Sequence, residues 1–301
     1  MEELGISNDP FVSIIIIVRD MVHTIDRCLR SVFSVDYPKK RYEVIVVDGG
    51  STDGTLTKIQ KYPIKCVQET RKGRGIARNT GIRNAKGELV VFLDADCVAY
   101  PNWLRKHVEV HNALRTSFAI GGAVVCENDV AKLVQLRHYT YFANMCENVP
   151  RKVTWDIATC NASFKKKLFA KVGLFDETLD FGEDASLCWN ALNKGYSTLF
   201  DPAPKVIHIY PPMTLRDFLD KKRNDGKSYG FIQIPYKIPK KYVTAALFVP
   251  LLYILKSLKD TLDLIRYLPS KQLLFTAFPY IFLGSAFWVL GCFDPAQSRS
   301  K

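Results

Sequence analysis

The stretch VVFLDADC, residues 90–97, runs four apolar positions straight into two carboxylates, Asp94 and Asp96, with one alanine between them. Carboxylates this close repel one another, and a buried strand that ends in such a pair calls for a cation to relieve it. Hard divalent cations such as Mg²⁺ and Mn²⁺ take carboxylate oxygen and often share it with the phosphates of a ligand. A cation bridging such a site acts as a Lewis acid on the phosphate side of a breaking bond. Asp48 stands in a similar setting, at the end of the apolar run YEVIVV and the head of DGGSTDGT. A further acidic pair, Glu183 and Asp184, lies in GEDAS, where Asp184 would open an amphipathic helix. Taken singly, each of these acids would serve equally well as a turn or helix cap, and an isolated D-x-D is weak evidence. Three aspartates at strand ends (Asp48, Asp94 and Asp96) are harder to explain as caps.

The elements that must position them follow from periodicity. Val12 to Val18 (VSIIIIV) and Tyr42 to Val47 read as strands covered on both faces. Between them, Ile25, Cys28, Leu29 and Val32 share one face of a helix over 24–35. A helix over 55–61, capped by Asp53 or Thr55, a short strand over 64–67, a glycine-punctuated helix in GRGIARNTGIRNAKG and a strand over 89–93 complete the first hundred residues. Alternating strands and helices predict a parallel sheet with right-handed crossovers, and ligands of such sheets bind beyond the carboxyl ends of the strands. Asp48, Asp94 and Asp96 all fall on that edge.

The second half is less regular. It predicts a strand over 119–125, helices over 129–144, 165–172 and 213–222, and a basic glycine-containing stretch, KKRNDGKSYG, at 221–230. The Lys165-Lys166-Lys167 run reads as a solvated helix face. From about Lys241 the composition turns apolar. The run 242–258 is broken by Pro250 and Lys256, which suits a helix lying in a membrane interface, and 273–293 carries no charge for about twenty residues. That is long enough to cross a bilayer core of roughly 30 Å. The lysines before residue 241 favour a cytoplasmic location for the preceding domain.

Composition narrows the classes. With 48% apolar and 24% charged residues, the 301-residue chain is that of a folded α/β protein, not a disordered one. Its formal net charge of +12 favours acidic partners such as phosphorylated ligands or an anionic membrane. No nucleic-acid-binding module with interleaved aromatics accompanies that charge, so nucleic acid is not an expected partner. The 8 cysteines form no C-x-x-C pair and read as reduced, buried thiols. The opening MEELGISNDP is acidic and polar, unlike a secretory leader.

Six motifs in order, VSIIIIVRD, EVIVVDGGSTDGT, GRGIARNTGI, GELVVFLDADC, NASFKKKLFAKVGLFDE and GEDASL, resemble the family 2 inverting glycosyltransferases over roughly residues 10–230. The resemblance implies a GT-A fold, a Rossmann-like, mostly parallel sheet flanked by helices. It divides the chain into a nucleotide-sugar-binding half (1–115), an acceptor-binding half (116–235) and membrane-associated hydrophobic helices (236–301). It implies that Asp48 contacts the donor nucleobase and that Asp53 supports the ribose or the loop. Arg78 would approach the donor phosphates or brace that loop, and Arg74 would contact phosphate or face solvent. Asp94 would bind ribose or metal, and Asp96 the Mg²⁺ or Mn²⁺ ion and through it the diphosphate. Gly75 and Gly81 would allow close backbone approach. Asp184 matches the catalytic base, with Glu183 as the alternative base or an orienting neighbour. The family often carries another acid two positions on, where this chain has Ser186, which bears on acceptor recognition. His208 would touch metal or diphosphate, or be structural. Lys222 or Arg223 would neutralise the diphosphate if KKRNDGKSYG folds over it. Trp155 and Asn161 would line the acceptor side.

The function so implied is transfer of a single sugar from a UDP- or GDP-sugar to a lipid-linked acceptor: a polyprenyl phosphate, a glycolipid or a lipid-linked oligosaccharide. The Q-x-x-R-W motif of processive synthases is absent after Asp184, which favours single addition. The rival reading is a non-catalytic, membrane-anchored nucleotide-sugar binder that scaffolds other enzymes. The residues set no oligomeric state.

Overall fold

The computed structural model describes residues 9–114, 116–155, 157–179, 182–233, 248–267 and 271–293. The chain packs as two units, one of residues up to Glu127 together with Asn144–Ile209, the other of Asn128–Ala143 together with the chain from Tyr210 onward.

The first unit is built on a nine-stranded sheet. Its amino-terminal part alternates as read from sequence: β1 (Val12–Val18), α1 (Ile25–Phe33), β2 (Tyr42–Asp48), α2 (Thr55–Ile59), β3 (Lys65–Gln68), α3 (Arg74–Asn84) and β4 (Leu89–Leu93). These strands pair in parallel in the order β3-β2-β1-β4. β-branched residues fill β1 and β2 because helices cover the sheet; Ile14, Ile15, Ile16, Ile45, Val46 and Val47 are fully buried. A Cβ on Gly81 would come within 2.5 Å of Ile15 Cγ2, so that glycine lets α3 lie directly on β1. One on Gly75 would meet the Asp176 carbonyl at 2.8 Å.

The rest of this unit corrects the expectation of a mostly parallel sheet. After β5 (Cys97–Ala99), α4 (Trp103–Ala113) and β6 (Ser117–Cys126), and, in the other unit, α5 (Lys132–Tyr141), come β7 (Lys152–Val153), β8 (Asn161–Lys165), α6 (Phe169–Val172), α7 (Glu183–Asn193) and β9 (Ser197–His208). β8 enters antiparallel between β4 and β6, and β5 and β7 pair antiparallel with β9. The helix expected from Lys165 is shifted, because NASFK is strand. Lys165, expected on a solvated face, is the last residue of β8 opposite Leu89 and is fully buried. Asn161, expected at the acceptor side, is likewise interior. Its amide donates to the Ala123 and Pro204 carbonyls, and its oxygen accepts the Trp103 indole N–H. Trp155 is half-buried against the main apolar cluster. That cluster centres on Phe92, Phe118, Phe164, Phe169 and Phe175, which meet mostly edge to face.

In the second unit, α5 accompanies α8 (Leu215–Gln233), α9 (Phe248–Tyr267) and α10 (Lys271–Phe293). KKRNDGKSYG is therefore helical, a continuation of the helix expected over 213–222. Lys222 is buried against Asp260, and Arg223 sits within α8, where its carbonyl leaves room only for Gly291. The apolar run 242–258 lies partly outside the described residues. Among the described residues no helix is long and apolar enough to cross a membrane, which leaves the expectation for 273–293, a run whose side chains lie partly outside them, without support. α10 carries Pro279, Gly284, Ser285 and Gly291 and turns Ala277, Ile281, Trp288 and Val289 into the unit's own interior.

Candidate active site

The site forms where β1, β2 and β4 end. Val18 pairs with Asp48, so the loops after β1 and β2 leave the sheet side by side. They are laced together: Asp20 accepts the Thr52 N–H, Ser51 Oγ accepts the Asp20 N–H, and Asp53 accepts the Val22 N–H. Asp53 also accepts the Thr55 hydroxyl and N–H, and that hydroxyl bond is the main reason its carboxyl titrates below the usual range. It thus ties the loop after β1 to the start of α2. Asp48 is fully buried, and its oxygens accept from the Gly50 and Ser51 N–H groups and the Ser51 hydroxyl. Ser51, a partner the motif reading did not single out, lies three residues away.

β4 delivers Asp94 and Asp96 into a tight turn in which the Asp94 carbonyl accepts the Cys97 N–H. Cys97 opens β5 and is directly paired with His208 of β9, which puts both side chains on one face of the sheet. The Asp96 carbonyl accepts the Ile209 N–H, and Asp96 Oδ2 stands 3.7 Å from His208 Nε2. Asp96, Cys97 and His208 each offer a ligand atom within 4.8 Å of the others. Burial, opposed by Arg78 and reinforced by Asp96, holds the Asp94 carboxyl above its ordinary range.

α7 supplies the second acidic pair. Gly182 caps it with φ of 74°, a left-handed conformation that glycine adopts without strain. Glu183 and Asp184 then occupy its first turn, where the helix dipole favours negative charge by about 0.3–1 kcal/mol. Their surroundings differ. Glu183 is buried and ion-paired with Arg78, which also reaches Asp94 Oδ1 at 3.7 Å; burial is the main cause of its raised pKa. Asp184 is partly open, accepting from the Thr159 N–H and hydroxyl, both at 3.4 Å.

One thiol ties these groups together. Cys160, buried beside Thr159, is drawn down by its bond with Cys97, yet burial and the charges of Asp94, Asp96 and Asp184 hold it above a thiol's usual value. The three carboxylates therefore share one neighbourhood. Arg78, which the resemblance placed at the donor phosphates or a loop, is 3% exposed and sits between two carboxylates. Arg74, at the exposed start of α3, is the arginine open to solvent, and its charge is felt by both Asp94 and Glu183. Arg223 belongs to the other unit. Among the described residues around the site, two arginines face four carboxylates, Asp94, Asp96, Glu183 and Asp184, so the balance of these groups is two negative charges, the charge of one divalent cation. The oxygen and imidazole donors of Asp96 and His208 fit Mn²⁺ or Mg²⁺, with the Cys97 sulfur as a softer neighbour. Cys97, Thr159, Cys160 and Ser51 escaped the sequence reading. Only the DADC adjacency pointed to the first, and nothing local pointed to the cysteine pair.

Residues 13–173 match the family described as Glycosyl transferase family 2. The chain is 32% identical over 234 residues to Glycosyltransferase AglE of Haloferax volcanii, covering 75% of this chain and 74% of that protein. A Methanococcus voltae protein is 22% identical over 298 residues, covering 90% and 92%. It is named dolichyl N-acetyl-alpha-D-glucosaminyl phosphate 3-beta-D-2,3-diacetamido-2,3-dideoxy-beta-D-glucuronosyltransferase. Among solved structures, the mannosyltransferase PcManGT of Pyrobaculum calidifontis, in complex with GDP-Man and Mn²⁺, superposes with a TM-score of 0.55 at 22% identity. That match covers 94% of this chain and 72% of that one and shows a shared GT-A-like fold.

Proposed function

This chain belongs to glycosyl transferase family 2, and from that premise we propose that it moves one sugar from a nucleotide-sugar donor to a lipid-linked acceptor, with inversion at the anomeric carbon. The observation that carries the reading is the contact of one guanidinium, that of Arg78, with both Asp94 beyond β4 and Glu183 at the start of α7, which brings Asp184, a proton acceptor, to the strand end where Asp96 and His208 offer a cation site. The M. voltae relative, named for a dolichyl phosphate-linked sugar, supports a lipid-linked acceptor, and the P. calidifontis structure, with GDP-Man and Mn²⁺, supports a nucleotide sugar and a divalent ion.

Each residue then has a task. Asp48 and the laced loops after β1 and β2 hold the nucleoside, with Asp53 keeping those loops closed on each other. Arg74 faces the diphosphate from the open end of α3. Asp96 and His208, with Asp94 beside them, would hold the cation, which when bound offsets the charge developing on the leaving diphosphate. Asp184 accepts the proton of the acceptor hydroxyl as its oxygen attacks the anomeric carbon from the face opposite the leaving group. Its hydrogen bonds from Thr159 keep the carboxylate oriented. Glu183 is unsuited to that task because Arg78 already occupies it. The second unit would rest on the cytoplasmic membrane surface where the acceptor resides, through residues of α9 that are exposed and apolar.

General-base assistance is worth about 10²–10⁴ in rate. Asp184→Asn should therefore lose that much kcat, while calorimetry shows nucleotide-sugar binding with Mn²⁺ unchanged. Wild-type turnover in Asp184→Asn would refute the assignment.

A further inference from the structure

We propose that Arg78 is a positioning residue that sets the spacing between the base helix α7 and the strand end that carries Asp94. One guanidinium group spans the two elements, with Nη1 on Glu183 in the first turn of α7 and Nη2 at 3.7 Å from Asp94 Oδ1 beyond β4. The side chains of Arg78 and Glu183 are 4% and 3% exposed, so solvent screens the pair little. The inference rests on the proposed glycosyl transfer, and it concerns a residue whose burial keeps it from touching donor or acceptor.

The geometry has the marks of a strut. The segment before Phe175 is locked to α3 by two reciprocal bonds: the Asn79 amide donates to the Phe175 carbonyl at 2.9 Å, and Asn79 Oδ1 accepts the Phe175 N–H at 3.0 Å. The Phe175 ring then lies 5.7 Å from the Arg78 guanidinium and fixes its plane. Gly75 and Gly81 seat the two ends of α3 against the Asp176 carbonyl and β1. The arginine thus projects from a fixed helix, and its Nε has no hydrogen-bond partner among the described residues. A bidentate pair with one carboxylate would use Nε or both Nη atoms on the same group. Dividing the Nη atoms between two carboxylates from distant elements instead holds those elements at a set distance. Lysine cannot reproduce this, because its ammonium is a point charge without a fork. A displacement of about 1 Å at a reacting centre costs on the order of 10²-fold in rate, which is the scale on which such a strut acts.

The test compares Arg78→Met, Arg78→Lys, Glu183→Gln and the double variant Arg78→Met/Glu183→Gln in the full chain. It reads thermal midpoint, calorimetric affinity for a nucleotide sugar with Mn²⁺, and kcat. Arg78→Met should lose about 10²-fold in kcat with donor affinity unchanged, and Arg78→Lys should fall in between. Arg78→Met should also melt lower, since it leaves Glu183 charged and buried. Adding Glu183→Gln removes that charge, so the midpoint should recover while kcat stays low. Recovery of kcat along with the midpoint would show that Arg78 serves the fold alone and would overturn the proposal. So would a loss of donor affinity in Arg78→Met, which would make it a phosphate ligand, or a wild-type kcat in that variant. Failure of the underlying function shows differently: the wild-type chain would bind no nucleotide sugar in the presence of Mn²⁺, and the proposal would fall with it.

Discussion

Asp96 and His208 face each other only because Cys97 pairs with His208 across β5 and β9. A residue-scale motif, D-x-D, thus becomes a site through a partner contributed by a strand far along the chain. The same holds for Arg78 and Glu183, neither of which has a local partner that explains its burial. If the negative balance around Asp94, Asp96, Glu183 and Asp184 is met by a divalent ion, Asp96→Ala should abolish Mn²⁺-dependent stabilisation by a nucleotide sugar in a melting assay. Chelation with EDTA should stop transfer by the wild type, and full activity in EDTA would exclude a metal at this site. Asp48 was legible as a strand-end acid, but its hold on Ser51 was not, because Ser51 is an ordinary turn residue in the sequence.

At the scale of elements, α4 and β8 are joined by an interior polar chain. His107 bridges Asn161 Oδ1 at 3.0 Å and Ser163 Oγ at 2.8 Å, and His111 meets Ser163 Oγ at 2.9 Å. Burial pushes His107 down to about 4, against a smaller upward pull from Asn161, and pushes His111 well below its ordinary value. Both imidazoles are therefore neutral in the fold and titrate near 6.5 once unfolded. Between those values the unfolded chain binds more protons than the folded one, so stability is complete above about pH 6.5 and is lost as pH falls toward 4. For His107 the loss amounts to about 3 kcal/mol. Urea midpoints measured from pH 7 to pH 4 should show this decline, and His107→Gln, though less stable throughout, should show a shallower one. An identical slope in the variant would remove His107 from the account. The helix expected over 165–172 is shifted at this same junction, beginning as a 3-10 turn at Lys166 and continuing as α6: three consecutive lysines suggested a solvated face, but β8 buries the first of them by pairing.

At the scale of the whole molecule, the second unit exposes an apolar stripe on α9, with Ile254, Leu255, Leu258, Leu262 and Ile265 each more than half open to solvent. These positions recur at helical spacing, and such a face suits the headgroup boundary of a bilayer. The full chain should co-float with vesicles containing anionic lipid, and Leu258→Glu with Leu262→Glu should abolish flotation without lowering the melting midpoint. Flotation that survives this pair of charges would assign the stripe another role. The order of residues by itself determined the strands β1, β2 and β4, the acids at their ends and the helix that carries Asp184 in its first turn, because hydrophobic periodicity and capping act over a few neighbouring residues. Only the tertiary structure decided that β8 runs antiparallel between β4 and β6. It alone placed Arg78 between Glu183 and Asp94, left Arg74 at the surface and carried α8 beyond the helix expected over 213–222. Strand sense, burial and ion pairing depend on which distant segments exclude water from one another, and no local period records that choice.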